Sequence, residues 1–336
     1  MPVHSAELAG VRPGRRQALL PLALLALAAL AALVLAVCVG SASPGPGALW
    51  RLISGEGDAL ARTLMFQLRL PRALAAFAVG GLLAVAGALM QVLLRNPLAD
   101  PYVLGLSGGA AVGALAAMLA GLGGAVVSGS AFAGALLSTL LVFGLAHGTG
   151  SWTPARLLLT GVVVAAGWGA LVTLMLAVSP TEQLPGMLYW LMGDLAHARG
   201  PWPPLILLAL TLLILAPLGR SLNVLARGPL QAAALGVAVR PMEWTIHVTA
   251  SLLTAMAVST AGSIGFVGLI VPHMLRLVLG NDQRVILPAC ALAGGTLLVL
   301  ADTLARTVIA PEQLPVGVIT ALLGVPMFLY LLYRSR

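Results

Sequence analysis

Apolar residues in this chain do not alternate with polar ones. They run together, about twenty at a time. The first run covers 18–39, and others follow at about 68–94, 101–121, 125–147, 156–178, 202–218, 242–260, 263–279, 285–304 and 314–333. A helix lying on a soluble core shows an apolar stripe with a period near 3.6, whereas these runs are apolar on all sides. About twenty such residues cross about 30 Å of hydrocarbon as a helix. The pattern predicts an all-α integral membrane protein of about ten transmembrane helices. The stretch 260–284, TAGSIGFVGLIVPHMLRLVLGNDQR, is typical: small residues, an apolar segment expected to break at Pro272, then Arg276 and Arg284 at a basic interface.

Composition removes the soluble alternative. The 336 residues are 60% hydrophobic and 8% charged, against about 25% charged in soluble domains. All 18 basic residues are arginine. A P-loop needs lysine on the phosphates, so an ordinary ATP site in this chain is excluded. The two cysteines, Cys38 and Cys290, lie in apolar runs and read as small core residues. The five histidines do not cluster, and no metal-ligand spacing occurs. No cofactor or metal bound by this chain is expected.

Residues 1–17 read as a polar tail carrying Arg12, Arg15 and Arg16, and 18–336 as a single membrane domain. A signal peptide would also place basic residues before an apolar run, but this run is longer than a typical signal core. An even number of spans puts both termini on the same, cytoplasmic side. On that topology 12 of the 18 arginines fall inside, in the sense of the positive-inside rule. Ala86-Gly87, Pro97 and Leu104-Gly105 are echoed 175 residues later by Ala261-Gly262, Pro272 and Leu279-Gly280. This is either an inverted repeat or a coincidence among abundant residue types. The inside loop 219–241, GRSLNVLARGPLQAAALGVAVRP, is long beside its neighbours. It could form two brief helices split at Gly228-Pro229, or remain a plain solvated loop.

Several motifs together resemble the FecCD-type permease subunits of ABC importers for iron chelates, haem and vitamin B12. They are LRLPRALAAFAVGGLLAVAGALMQ (68–91), RNPLADPYVLGLSGGA (95–110), RLLLTGV (156–162), YWLMGDL (189–195), LARGPLQAAALGV (225–237), GSIGFVGLIVPHMLRLVLGNDQR (262–284), ADTLAR (301–306) and EQLPVGVITALLGVPMFLYLL (312–332). They follow the family's order and cover most of the chain. One departure is Gln283, where the family often has His.

The resemblance implies a vitamin B12 importer permease-like bundle in a bacterial cytoplasmic (inner) membrane. It implies a second permease subunit, in a homodimer or close heterodimer, and a periplasmic or lipoprotein substrate-binding protein. Two cytoplasmic ATPase subunits would hold the ATP and magnesium. Beyond membrane lipid no other class of partner is expected, nucleic acid included. By resemblance Arg69, Arg72 and Arg306, at outside span ends, receive acidic residues of the binding protein; interfacial snorkelling is the plain alternative. Leu225, Ala226, Gly228, Ala234, Leu235 and Gly236 carry the likeness to the helices that seat on the ATPase. Asn96 and Leu98 match a pair that narrows the inner end of the pathway, although Asn96 serves equally as a helix cap. Thr153, with Ser151, stands at a second constriction. His273 reads as structural and not as an iron ligand. Asp302 and Arg306, four apart, read as an ion pair on one helix face.

The rivals are weaker. A secondary transporter needs ionisable groups mid-span, and almost every charge here sits near a span end. An intramembrane enzyme needs a nucleophile or metal constellation in the spans, and none occurs. A channel for a small solute is the least excluded.

Overall fold

The computed structural model describes residues 15–40, 59–147, 153–196, 198 and 200–334, and among these there is no strand. The predicted tail before residue 15 and Ser151 lie outside the described residues. The helices are α1 (Arg15–Cys38), α2 (Ala59–Arg62), α3 (Leu70–Leu93), α4 (Leu106–Leu119), α5 (Gly124–His147), α6 (Pro154–Val178), α7 (Leu184–Met192), α8 (Trp202–Leu215), α9 (Gly219–Leu225), α10 (Pro229–Ala234), α11 (Val239–Ala261), α12 (Val267–Leu279), α13 (Gln283–Ala305) and α14 (Val316–Arg334). A π-helical turn, Thr63–Arg69, joins α2 to α3, and a 3-10 turn, Pro101–Leu104, precedes α4.

Each of the ten predicted runs contains a helix, and five are long and apolar enough to cross a membrane unaided: 19–38, 63–93, 124–146, 155–178 and 283–305. Three expectations are refined. The run 202–218 is bent by 75° between α8 and α9, because Pro217 cannot donate to the preceding turn. The run 263–279 does not break at Pro272, which lies inside α12; instead α12 starts late, after the non-helical 262–266. A short helix, α7, fills a region left between spans. Its nine residues are too few for a spanning pattern, yet Met187 within it is fully buried. The echoed residues do not occupy equivalent places. Gly87 is inside α3 and Pro97 in a turn, while Gly262 ends α11 and Pro272 is inside a helix.

The bundle is built around α3. Within the span Thr63–Leu93, 89% of an 18-residue apolar window is buried. Nothing in LPRALAAFAVGGLLAVAGALMQVL beyond Arg72 carries charge, and its small side chains let neighbours approach, which is how helices pack without a hydrophobic drive in lipid. At Gly80 the α13 backbone comes so close that a Cβ would lie 2.2 Å from the Gly294 carbonyl oxygen. α12 approaches as closely at Gly87, through Gly268. The Gly268 carbonyl is the one that Pro272 leaves without its i+4 amide. A second cluster, Ala110, Ala114, Leu115, Ala131 and Ala135, joins α4 to α5. α6 is the contrast: only 6% of an 18-residue apolar window in it is buried.

Candidate functional site

Two of the three arginines expected at the outer face, Arg72 and Arg306, hold one carboxylate. Asp302, near the C-terminal end of α13, is 1% exposed. Arg72, in the first turn of α3, donates to it from Nη2 at 2.8 Å and from Nε at 3.1 Å. Arg306 donates from Nε at 3.0 Å, so the expected i,i+4 pair is present. Arg72 also donates to Gln313 Oε1 at 2.8 Å and stands 3.9 Å from Asp194.

Arg69, and Arg306 again, reach the end of α1. Arg69 Nη1 donates to the Val37 and Cys38 carbonyls at 3.1 and 3.2 Å, and Arg306 Nη2 to Ala36 at 3.3 Å. The last carbonyls of a helix have no intrahelical donor, and these guanidinium groups supply it. Arg69 and Arg306 are therefore buried, whereas the Arg72 side chain keeps 14% of its surface. Burial pulls Arg306 below the usual arginine range; Asp302 opposes this, and repulsion from Arg72 and Arg69 adds to it. Sequence reasoning placed all three at one end of the spans but missed the capping of α1. That partner is up to 270 positions away, and no local signal announces it.

At the opposite end of α3 the chain turns through 94–100. Asn96 and Leu98 are exposed here, and Asn96 Oδ1 accepts from the Leu98 N–H at 2.9 Å, a local turn rather than a helix cap. Thr153 does cap a helix: its hydroxyl accepts from Arg156 N–H at the start of α6. Gln91 anchors the 94–100 turn, and sequence reasoning missed this residue. Its Nε2 donates to Leu269 and, at 3.4 Å, to Ala99, while its Oε1 accepts from Arg276. Asp100 Oδ1 accepts from Tyr102 N–H at 2.8 Å and caps the 3-10 turn.

Burial pushes the Asp100 carboxyl up to about 6, against that backbone bond. Because the folded value lies above the ordinary one, the neutral form favours the fold. Its stabilisation is complete below about pH 4 and is lost as pH rises through about 6. Asp100→Asn, which retains an acceptor for Tyr102, is expected to remove that loss. Melting temperatures from pH 4 to 7 in detergent check this, and equal slopes for both proteins would refute it.

The 219–241 loop folds as α9 and α10, split at Gly228-Pro229. Gly228 at φ +124° and Gly236 at φ +78° take conformations that side chains resist. Leu222, Leu225 and Ala232 are buried and hold the pair down. Ala226, Ala234, Leu235 and Gly236 face outward, and Leu235 is 69% and Leu230 86% exposed. Of the residues carrying the likeness, Leu225 thus anchors, Gly228 turns, and the others present surface. Leu230, more exposed than Leu235, was not singled out in the sequence.

A side-chain tie fixes this loop to the bundle. Asn223 Nδ2 donates to Asp282 Oδ1 at 2.8 Å, and Asn223 Oδ1 accepts from Gln283 N–H at 2.7 Å. Asp282 caps α13, accepting from Arg284 N–H, and also receives the Arg284 guanidinium at 2.6 Å. The Arg284 hydrogen bonds, helped by the Asn223 amide and opposed by burial, hold the Asp282 carboxyl down at about 2. Elsewhere His247, buried in α11 beside Phe143 and Trp244, has no protein hydrogen-bond partner among the described residues. His273 is half-buried. No group of three or more metal-ligating side chains occurs among the described residues.

The described residues thus form a helical bundle with several membrane-length spans, arginines gathered at one end of its central helix and a pair of short helices between spans, an arrangement that suits a membrane transport subunit. Comparison with known proteins fixes which kind. The model of the FecCD transport family matches residues 26–334, and the chain belongs to that family. It is 39% identical over 335 residues to the vitamin B12 import system permease protein BtuC of Escherichia coli O9:H4 (strain HS), covering 97% of this chain and 98% of that one. It is 46% identical over 284 residues to the cobalamin import system permease protein BtuC of Halobacterium salinarum, covering 82% and 74%. A metal-chelate type ABC transporter solved in an inward-facing conformation superposes with a TM-score of 0.82 at 32% identity, over 93% of this chain and 98% of that one. The chain is thus a multi-pass inner-membrane permease subunit of the ABC importer class.

Proposed function

We propose that this permease carries a metal chelate, of the cobalamin, iron-siderophore or haem kind, from a substrate-binding protein to the cytoplasm by alternating access, driven by ATP hydrolysed in partner subunits. The observation that carries the reading is the α9–α10 pair. It holds Leu230 and Leu235 out of the fold while Leu222 and Leu225 fix it in place. Large apolar side chains held exposed on an inter-span loop suit a protein groove, and a chain without lysine needs an external ATPase. The bare α6 span supports a second permease subunit across that face.

At the other end, Arg72 and Arg306 on Asp302, with Arg69 close by on the end of α1, keep an excess of positive charge, and Arg72 is the most accessible of them. Acidic residues of a binding protein would be steered there. Asn96, Leu98 and Thr153 stand in exposed turns at span ends, where a pathway could be narrowed.

The test is association. Co-expressed with a candidate ATPase from the same source, the native chain is expected to co-purify with it. Leu230→Asp with Leu235→Asp is expected to lower recovery at least about tenfold, the scale of losing a buried apolar anchor at an interface. Undiminished recovery of the ATPase with the double variant would overturn the assignment of this surface.

A further inference from the structure

We propose that α13 is a rigid connector between the two partner surfaces, and that Asn223 is the positioning residue that locks the ATPase-facing loop to it. The proposal rests on the partner surfaces assigned above. Asp282 caps one end of α13 and Asp302 lies near the other. Twenty residues of helix separate them, about 30 Å. At the first end the Asn223 side chain makes both of its bonds to the head of α13, to the Asp282 carboxylate and to the Gln283 amide. Gly219, at the start of α9, lies flush on Arg284, where a Cβ would come within 2.6 Å of Cγ. At the second end Asp302 holds Arg72 and Arg306.

Between these ends α13 cannot easily slide. Gly294 and Gly295 are seated against Gly80 and Phe77 of α3, with no room for a Cβ on either. A displacement of Asp302 is therefore expected to reach Asp282 as a movement of the α3–α13 pair and not as bending within it. The polar tie passes that movement to α9 with a fixed direction, which the van der Waals contact of Gly219 on Arg284 does not supply. A bond from an amide to an ionised carboxylate, with a second bond to the adjacent backbone, fixes both position and orientation. Distance alone does not establish coupling between sites; the tie has to be cut.

The experiment uses the native chain with its ATPase and binding protein in proteoliposomes, with cobalamin, a ferric siderophore and haem supplied in turn. Asn223→Ala is expected to assemble and to hydrolyse ATP at the unstimulated rate, while stimulation by loaded binding protein falls about fivefold or more, the scale of a typical coupling free energy. The exchange Asn223→Asp with Asp282→Asn keeps an amide opposite a carboxylate and a good helix cap, and is expected to restore stimulation. An Asn223→Ala complex stimulated as fully as the native one overturns the proposal. If that variant does not assemble, the exchange decides: restored assembly with stimulation supports the tie, and anything less overturns it. A native complex that no loaded binding protein stimulates overturns instead the importer reading on which the connector depends.

Discussion

Asp302→Ala is expected to remove most of the folded protein from the membrane fraction. Asp302 is buried at 1% exposure and is the carboxylate shared by Arg72 and Arg306. Removing one partner from a buried ion pair costs about 3–5 kcal/mol, because the remaining charge is left without compensation. Here two guanidinium groups are left facing each other, with Arg69 beside them at the end of α1. A loss of that size is a large fraction of the whole stability of a domain, about 5–15 kcal/mol. Asp302→Asn keeps the shape and two lone pairs but loses the charge, so an intermediate yield is expected. Size-exclusion profiles and melting curves in detergent check both. Native-like melting of Asp302→Ala would show that the cluster does not hold α1, α3 and α13 together.

Gly87→Ala is expected to be nearly as damaging, for the opposite reason. Its Cβ would lie 1.8 Å from the Gly268 carbonyl oxygen and 2.5 Å from that carbonyl carbon. These are backbone atoms, so no rotamer change relieves the clash, and α12 must move away from α3. Overpacking of this kind costs about 1–3 kcal/mol, occasionally more. It would also disturb the Gln91 bonds to Leu269 and Arg276, which hold α12 and the 94–100 turn together. Gly169→Ala, on α6, is the control, since a Cβ there meets nothing within 4 Å. A melting temperature for Gly87→Ala equal to that of the control would contradict the close approach.

These two sites also mark how far the sequence could be read. The apolar runs are set by residues adjacent in sequence, and a helix appears in each. The split of the inside loop at Gly228-Pro229 was legible because Gly and Pro act locally. The Asp302–Arg306 pair was legible because four residues make one helical turn. What stayed hidden depends on residues far apart. Arg72 joins Asp302 across 230 positions, and Asn223 meets Asp282 across 59. Both pairs look, in sequence, like ordinary charges or amides at span ends. The capping of α1 by Arg69 and Arg306 was hidden likewise, and it gives those side chains an internal role that the docking expectation did not include. α7 escaped because nine residues containing Pro and Gly show no spanning pattern. The bend at Pro217 was masked by apolar residues around it, which read as one continuous run.

The importer assignment is tested most directly by ATP hydrolysis in proteoliposomes. The permease is reconstituted with the ATPase from the same source, and the rate is followed with and without chelate-loaded binding protein. Stimulated hydrolysis accompanied by uptake of the chelate is the predicted result. If no ATPase associates with the native chain under any condition, the exposed face of α9 and α10 has been misread, and a channel or ion-driven carrier becomes the better description.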